Sequence, residues 1–405
     1  MSFDTGSTGF MLIATALVMI MTPGLAFFYG GLVGRKNVLA IMIQSFVSMG
    51  WTTFLWWAFG YSLVFSGGQG GIIGNFQHAF LIGISPTQAF SATNNIPLFV
   101  FIAYQMMFAI ITPALITGAF ANRVRFPAYL IFLTLWLTFV YFPVAHMVWG
   151  GGLFASWGVL DFAGGTAVHA TAGFAALASV LFVGKRKVFD KGPHSIPLVA
   201  LGTALLWFGW YGFNAGSELH VDNITALAFI NTDIAASIAA LTWLAIAWIT
   251  EKKPKFIGLL TGAVAGLVAI TPAAGYVSIT SAVIIGFLAG VVCYLAVLWK
   301  NRKHLDDALD VWGVHGVGGV LGVICTGIFA SLAWNPAGAN GLLHGNVSFF
   351  LFETLSAVIT ATYSFVFSYA ALWLINKITP VKVSDEEEEV GLDASEHGEN
   401  AYELI

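Results

Sequence analysis

The stretch 161–173, DFAGGTAVHATAG, carries an aspartate and a histidine eight residues apart among small and apolar residues. A second stretch, 310–319, reads DVWGVHGVGG and repeats the pattern with a spacing of five. Aligned on the histidines, the two stretches share the preceding valine, the histidine itself and the glycine four residues later. Ionisable side chains within apolar helices usually face a cavity and mark a pathway. The two stretches therefore predict a polar position inside each of two apolar helices.

The surrounding chain is too apolar for a soluble protein. Of its 405 residues, 58% are hydrophobic and only 9% are charged, whereas a soluble domain has about 25% charged residues. Apolar runs of about 18 or more residues mark membrane-spanning helices. We predict an all-α membrane protein with eleven spans, at about 8–30, 38–65, 97–119, 127–148, 163–183, 196–216, 226–249, 256–275, 278–299, 310–331 and 346–376.

The basic residues predict how these spans are oriented. All sixteen Lys and Arg fall in alternate gaps between spans, as Lys185, Arg186, Lys187 and Lys191 do between spans 5 and 6. The other gaps hold none, and the long loop 66–96 has no charged residue at all. Basic loops remain in the cytoplasm. We therefore predict a multi-pass protein of the cell membrane with an outer N-terminus and a cytoplasmic C-terminus.

The spans divide into two halves of five, at about 8–183 and 196–331, followed by helix 11. Because five is odd, the second half must cross the membrane in the opposite sense to the first. His169 and His315 then hold the same rank, on spans 5 and 10. Weak internal similarity with opposed topology is typical of inverted-repeat transporters, although short Gly-rich strings also match by chance. The repeat predicts that both imidazoles lie near the midplane and face one pathway.

The aspartates of the two stretches have a structural interpretation. Asp161 and Asp310 are predicted to open their helices as N-caps, where a carboxylate also favours the positive end of the helix dipole. Asp161, on the outer side, could in addition draw cations toward the pore mouth.

The paired histidines admit several chemistries. Neutral imidazoles each offer one donor and one acceptor, so they can relay a proton or hydrogen-bond a small polar solute. A packing role is the plainer alternative. A metal would need a third ligand, and spans 5 and 10 carry no His-x-x-x-His, paired Cys or Glu partner. We therefore predict no metal and no other cofactor.

Aromatic residues gather at the predicted outer ends of two spans. The stretch 146–152, HMVWGGG, places Trp149 at the outer mouth, and 210–217, WYGFNAGS, adds rings and a hydroxyl. Tryptophan there is commonly an interfacial belt residue, but its ring face can also hold a cation. No Lys or Arg lies inside a predicted span, which favours a cation or a neutral solute over an anion.

The last segment, 377–405, differs from the transmembrane part, 1–376. Its acidic run 385–389 is predicted to be solvated and flexible. The following GLDASEHGENAYEL is less acidic and carries Leu and Tyr, so it could dock on the cytoplasmic face.

Six motifs in order resemble those of the ammonium transporter family, which includes methylammonium permeases and Rhesus proteins. They are YQMMFA, AHMVWGGG, DFAGGTAVH, WYGFNAGS, DVWGVHGVGG and GLDASEHGENAY, and the match covers nearly the whole chain. The resemblance implies an eleven-helix homotrimer with one pore per subunit and no enzymatic activity. It also implies ammonium or ammonia as substrate, methylammonium as an analogue, lipid as surroundings and no nucleic-acid partner.

The resemblance further assigns residues at the outer end of the pore. Trp149, Phe108 and Ser217 would form the ammonium recruitment site, with Asp161 supporting it from beneath. Phe108 and Phe213 would be the stacked pair that closes the pore below.

Deeper in the pore, the resemblance makes His169 and His315 the twin histidines of a hydrophobic lumen, with Trp210 nearby. Ammonium would lose its proton at the rings, and ammonia would cross beside the imidazoles. A proton following by a histidine- or water-linked route would make transport electrogenic. A neutral ammonia channel and an ammonium sensor are the alternatives.

The tail would meet a trimeric nitrogen-regulatory PII protein at the cytoplasmic face. Two departures from the family pattern bear on that contact. Many relatives have Glu where this chain has Asn122, and the run 385–389 is unusually acidic.

Overall fold

The computed structural model describes residues 3–91, 94–189 and 192–402. These residues are helical apart from turns, loops and two isolated β-bridges. Lys191, one of the basic residues used to predict orientation, and the last three residues of the tail lie outside the described ranges. We call the face that carries Asp4 and Trp149 the outer face, following the predicted orientation.

The eleven predicted spans are confirmed in number and order. Within the described residues, ten helices are long and apolar enough to cross a membrane, and an eleventh is shorter. In chain order they are α1 Thr5–Leu32, α2 Val38–Phe65, α3 Leu98–Ile116, α4 Phe126–Ser156, α5 Gly165–Val183, α6 Ile196–Glu218, α7 Asn223–Glu251, α8 Phe256–Ile270, α9 Ile279–Arg302, α10 Trp312–Phe329 and α11 Val347–Ile378.

The eighth span is a half-helix followed by irregular backbone. Helix α8 ends at Ile270, whereas the sequence predicted a span to 275, and the chain continues in turns to Tyr276. The amide of Asn231 on α7 donates to the carbonyls of Ala274 (2.9 Å) and Val277 (3.0 Å). Backbone polar groups at membrane depth must be paired within the protein because lipid offers no hydrogen bonds. Asn231 supplies that pairing.

The first helices of the two halves, α1 and α6, pack tightly along each other. Their contact is built from glycines, since a Cβ at Gly202 would lie 2.3 Å from the backbone nitrogen of Phe28, and one at Gly31 would lie 2.7 Å from that of Val199. Small residues let membrane helices approach closely where hydrophobic driving force is absent.

Helices α5 and α10 cross with reciprocal glycine contacts. A Cβ at Gly173 would lie 2.1 Å from the backbone nitrogen of Gly316, and a Cβ at Gly319 would lie 2.8 Å from the Cβ of His169. Gly173, four residues after His169, packs against Gly316, the residue after His315. Gly319, four residues after His315, packs against His169. This pair of equivalent contacts explains why both sequence stretches carry a glycine at that position.

The prediction that the acidic run is flexible is wrong. Asp385–Val390 forms helix α12. Glu387 pairs with Arg125 (2.5 Å), and buried Glu388 accepts the backbone N–H of Lys187 (2.5 Å). The acidic run faces loops that carry Arg125 and Lys187. The composition of the run itself does not reveal these partners. Ion pairing and backbone hydrogen bonds order a segment that its own charge would keep extended.

The following segment docks as expected. Leu392–His397 forms helix α13 against the inner end of α2. Asp393 accepts the N–H of Ala40 (2.8 Å), and Asn37 accepts the N–H of Leu392 (2.9 Å). Asn122, the departure from the family pattern, has a left-handed backbone (φ +67°), a conformation that Asn tolerates better than Glu does.

Candidate functional site: an aromatic mouth above a histidine pair

The outer end of α5 is fixed by one carboxylate. Asp161 is buried, and its two oxygens accept four backbone N–H groups at 2.7–3.0 Å, those of Gly164, Gly165, Thr166 and Ala167. The first helical turns leave such donors without partners. Asp161 therefore caps the helix, as predicted. It lies four residues before Gly165, where the helix begins, and its side chain reaches the first helical turn.

At the inner end of α10, the predicted cap is wrong. Asp310 has a left-handed backbone (φ +60°), whereas an N-cap residue normally lies in the extended region. Asp307 accepts the N–H groups of Val311 (3.1 Å) and Trp312 (2.8 Å) instead. Burial raises the pKa of Asp307 to about 6, against the lowering effect of Lys300. Asp310 pairs with Lys300 at 2.6 Å.

With Asp307 as the cap of α10, the two stretches are more alike. Asp307 precedes His315 by eight residues, as Asp161 precedes His169. In both stretches the histidine lies in a π-helical turn, Gly165–Ala170 on α5 and Trp312–Gly316 on α10. Such turns are rare and occur frequently at functional sites.

At the outer mouth, three aromatic rings form a column. Trp149 meets Phe108 edge to face, with centroids 5.9 Å apart at 81°, and Phe108 packs on Phe213 at 4.3 Å. The indole N–H of Trp149 donates to the backbone carbonyl of Asp161 (2.9 Å). Trp149 is half-buried, whereas both phenylalanines are buried. The indole is therefore anchored at its nitrogen while part of the ring remains accessible.

Ser217 lies one helical turn after Phe213 and bonds back to it. Its hydroxyl donates to the carbonyl of Phe213 (2.9 Å), which leaves oxygen lone pairs able to accept from a solute. Tyr104, which sequence reasoning missed, lies 3.3 Å from the Ser217 oxygen and donates to the same carbonyl (2.9 Å). Its position four residues before Phe108, on the same helix face, was the available signal.

Below the phenyl pair, the two histidines meet. The Nδ1 atoms of His169 and His315 are 3.3 Å apart, and their ring centroids are 5.3 Å apart. The rings of His169 and Trp210 stack at 5.4 Å. The Trp210 N–H is occupied by Thr271 (2.9 Å), so this tryptophan offers its ring rather than its donor.

The hydrogen bond between the imidazoles couples their tautomers. One Nδ1 donates and the other accepts, so the accepting ring carries its proton on Nε2. Nε2 of His169 has no hydrogen-bond partner among the described residues and is buried. An unpaired buried ring nitrogen is costly. It is available to a small solute that can donate or accept a hydrogen bond.

Cavities lie on both sides of His315. The upper cavity is apolar and is lined by both histidines, Trp210 and Phe213 together with aliphatic side chains. The lower one opens toward the inner face and also reaches His315 and Asp310. Across the described residues, no group of three or more His, Cys, Asp or Glu is arranged to hold a metal ion.

Comparison with known proteins agrees with this architecture. The model of the Ammonium Transporter Family matches residues 9–402. An ammonium transporter of Bacillus subtilis (strain 168) is 44% identical over 400 residues, with 98% of each chain covered.

Solved structures are similar over nearly the whole chain. The crystal structure of Candida albicans Mep2 superposes with a TM-score of 0.88 at 36% identity, covering 95% of this chain and 88% of the other. A structure described as a sensor Amt protein superposes with a TM-score of 0.88 at 28% identity, covering 96% of this chain and 98% of the other.

The chain is thus a multi-pass, all-helical membrane protein of a family of transporters rather than enzymes. The aromatic mouth, the histidine pair and these similarities together lead to one conclusion: the protein belongs to the ammonium transporter family.

Proposed function

We propose that this protein recruits ammonium at Trp149, Phe108 and Ser217 and passes it inward as ammonia, with net transfer of charge. The supporting observation is the order of groups along the pore. A cation-attracting ring lies at the mouth, a closely packed, tilted phenyl pair (Phe108 and Phe213) lies below it, and two bonded imidazoles follow.

The mouth suits ammonium better than an alkali cation of similar size. A tryptophan face attracts any small cation, by about 0.5–2 kcal/mol depending on desolvation. Ammonium also donates hydrogen bonds in fixed directions, and the Ser217 oxygen can accept one. Asp161 supports the site from beneath through the Trp149 contact. Selectivity would come from the directed bond, because charge alone does not distinguish the cations.

The region below the phenyl pair disfavours the charged form of the substrate. The lumen is lined by aliphatic and aromatic side chains, with the imidazoles as its polar groups. Moving an isolated ion into such surroundings costs many kcal/mol, on the order of tens by the Born argument. Ammonium therefore gives up its proton where it meets the lumen, to the unpaired Nε2 of His169, and ammonia crosses next to the histidines and Trp210.

The histidine pair provides a route for the released proton. Two Nδ1 atoms at 3.3 Å can exchange a proton along their hydrogen bond. Because His315 also borders the inner cavity, a proton leaving it can reach the cytoplasmic side. Transport would then carry one positive charge for each ammonia.

The proposed assembly follows the family. The transmembrane domain, 1–376, would form a homotrimer, with the N-terminus outside and the regulatory tail, 377–405, in the cytoplasm. A PII-type protein would bind at the inner face. The docked helices α12 and α13, which contact several inner loops, support the idea that a partner could act on the pore through the tail.

The test is the current after an ammonium jump on a solid-supported membrane carrying reconstituted protein. We expect a current for the wild type and for Thr360→Val, a control on α11. We expect no current for His169→Ala combined with His315→Ala. A wild type that shows ammonia flux by internal pH but no current would overturn the electrogenic mechanism in favour of a neutral channel. Ammonium binding with neither flux nor current would favour a sensor.

A further inference from the structure

A buried carboxylate on α11 has no role in the transport route described above. Glu353 is 0% exposed, and its Oε1 accepts the backbone N–H of Leu160 at 2.5 Å. Its Oε2 has no hydrogen-bond partner among the described residues. An ionisable side chain within a membrane helix is costly and usually serves function. The Leu160 N–H is the hydrogen-bond partner of this side chain, so the role of Glu353 is sought in the segment that contains Leu160.

Leu160 is the residue before Asp161, on the segment that holds the outer aromatic site. The Asp161 carbonyl accepts the indole N–H of Trp149 (2.9 Å). The next N–H, that of Phe162, donates to the carbonyl of Pro272 (3.1 Å), in the irregular segment after α8. Residues 160–162 are therefore held on one side by α11 and on the other by the segment after α8.

This double attachment determines where the Trp149 ring lies. The indole touches Phe108 edge to face, and its one N–H is directed to the Asp161 carbonyl. If the Leu160 N–H loses its acceptor, residues 160–162 keep the Asp161 cap and the Pro272 bond but lose their attachment to α11. The carbonyl that orients the indole can then shift, and the ring can turn away from the column.

We propose that Glu353 is a positioning residue for ammonium recruitment, aligning Trp149 through the Leu160–Asp161 backbone. This inference rests on the proposed role of Trp149 at the mouth. Its Oε1 supplies a buried acceptor for the Leu160 N–H, which would otherwise be left unpaired. Glu353 would act without touching the substrate.

The test separates acceptor geometry from carboxyl chemistry. Glu353→Gln keeps a carbonyl oxygen at the same reach, Glu353→Met removes the acceptor, and Glu353→Asp retracts it by one methylene. Thr360→Val, also buried on α11, is the matched control. For each reconstituted protein we would measure the KM and maximum of the methylammonium current, and the hydrogen exchange of peptides covering 157–163.

We expect Glu353→Met and Glu353→Asp to raise KM about five- to tenfold with the maximum current within twofold, because the cation–π contact is weakened. Exchange in 157–163 should rise in both. Glu353→Gln and Thr360→Val should match the wild type in KM and exchange. Should Glu353→Met not accumulate, Glu353→Asp, which keeps the acid, gives the same comparison.

Three results would overturn the inference. The first is increased exchange in 157–163 with unchanged KM, since the backbone would then move without affecting recruitment. The second is loss of current in Glu353→Gln with wild-type exchange, which would mean that the carboxyl group itself takes part. The third is a wild-type KM in a Trp149→Leu reference variant. That result would refute the recruitment site itself, and the exchange data would show separately whether Glu353 still fixes the segment.

Discussion

The outer start of α5 and the inner start of α10 are built alike but bind different side chains at the same position. In both, an aspartate eight residues before the histidine caps the helix through its carboxylate. In both, the backbone carbonyl of that aspartate accepts a bond from a neighbouring helix. At Asp161 the donor is the indole of Trp149 (2.9 Å), and at Asp307 it is the ammonium group of Lys300 (2.7 Å).

The same backbone carbonyl thus has two different partners. It holds an aromatic ring at the outer end and a buried ammonium group at the inner end. Lys300 is also paired with Asp310 (2.6 Å), so its charge is balanced rather than presented alone. The two ends share the helix, the cap and the histidine, and they differ in the residue that bonds to the aspartate carbonyl.

The largest effect should come from removing the caps. Asp161→Ala would leave four buried N–H groups unpaired and Asp307→Ala two, each at about 1–3 kcal/mol before any relaxation. We therefore expect Asp161→Ala to lower the midpoint of thermal unfolding in detergent more than Asp307→Ala does. Asp161→Asn, which keeps one acceptor oxygen, should lie between Asp161→Ala and the wild type. Equal midpoints for the two alanine variants would contradict the comparison.

The spans and the histidine pair could be predicted from the sequence, whereas the cap of α10, Asp307, could not be predicted from its own stretch alone. Long apolar runs and alternating basic loops specify helices almost directly, because lipid permits little else. Three aspartates, at 306, 307 and 310, compete for the start of α10. Asp310 is the nearest to the helix, but its left-handed backbone, which the sequence does not reveal, turns it away from the cap position. Aligning the two halves on the aspartate–histidine spacing would have identified Asp307.

The next largest effect should come from the glycines where α5 and α10 cross. Gly173→Ala would place a Cβ 2.1 Å from backbone, which cannot rotate away, whereas Gly319→Ala would meet the His169 Cβ at 2.8 Å. Overpacking of this kind costs typically 1–3 kcal/mol and shifts backbone. We expect Gly173→Ala to abolish the ammonium current and Gly319→Ala to reduce it. Ammonium-jump currents at matched protein density measure this. Full current in Gly173→Ala would show that the crossing is looser than described.

A smaller effect should come from the two groups that distinguish the mouths. Trp149→Leu should raise the KM for external ammonium about tenfold, since the cation–π contact is lost. Lys300→Met should change that KM less than twofold but lower the unfolding midpoint, because it leaves Asp310 unpaired. Adding Asp310→Asn to Lys300→Met should restore part of the midpoint. A KM change in Lys300→Met as large as that in Trp149→Leu would refute the division of roles.

The tail was the other misjudged region, and the reason is physical. The partners of the acidic run 385–389, Arg125 and Lys187, lie far away in sequence, so its local charge alone indicates a solvated segment. Only the folded inner face brings them together. The Leu and Tyr after the run did indicate docking, because apolar residues within a polar tail usually find a surface to cover.

The smallest effect should come from Asp393, a third aspartate cap, which the tail supplies to α2. It accepts the N–H of Ala40 at 2.8 Å near the inner surface, whereas Asp161 accepts four donors in the protein interior. Asp393→Ala should cost about 1 kcal/mol or less, mainly as looser docking of α13. Limited proteolysis should cut the tail of Asp393→Ala faster than that of the wild type, while KM stays the same. A large loss of thermal stability would mean that the tail is an integral part of the transmembrane fold.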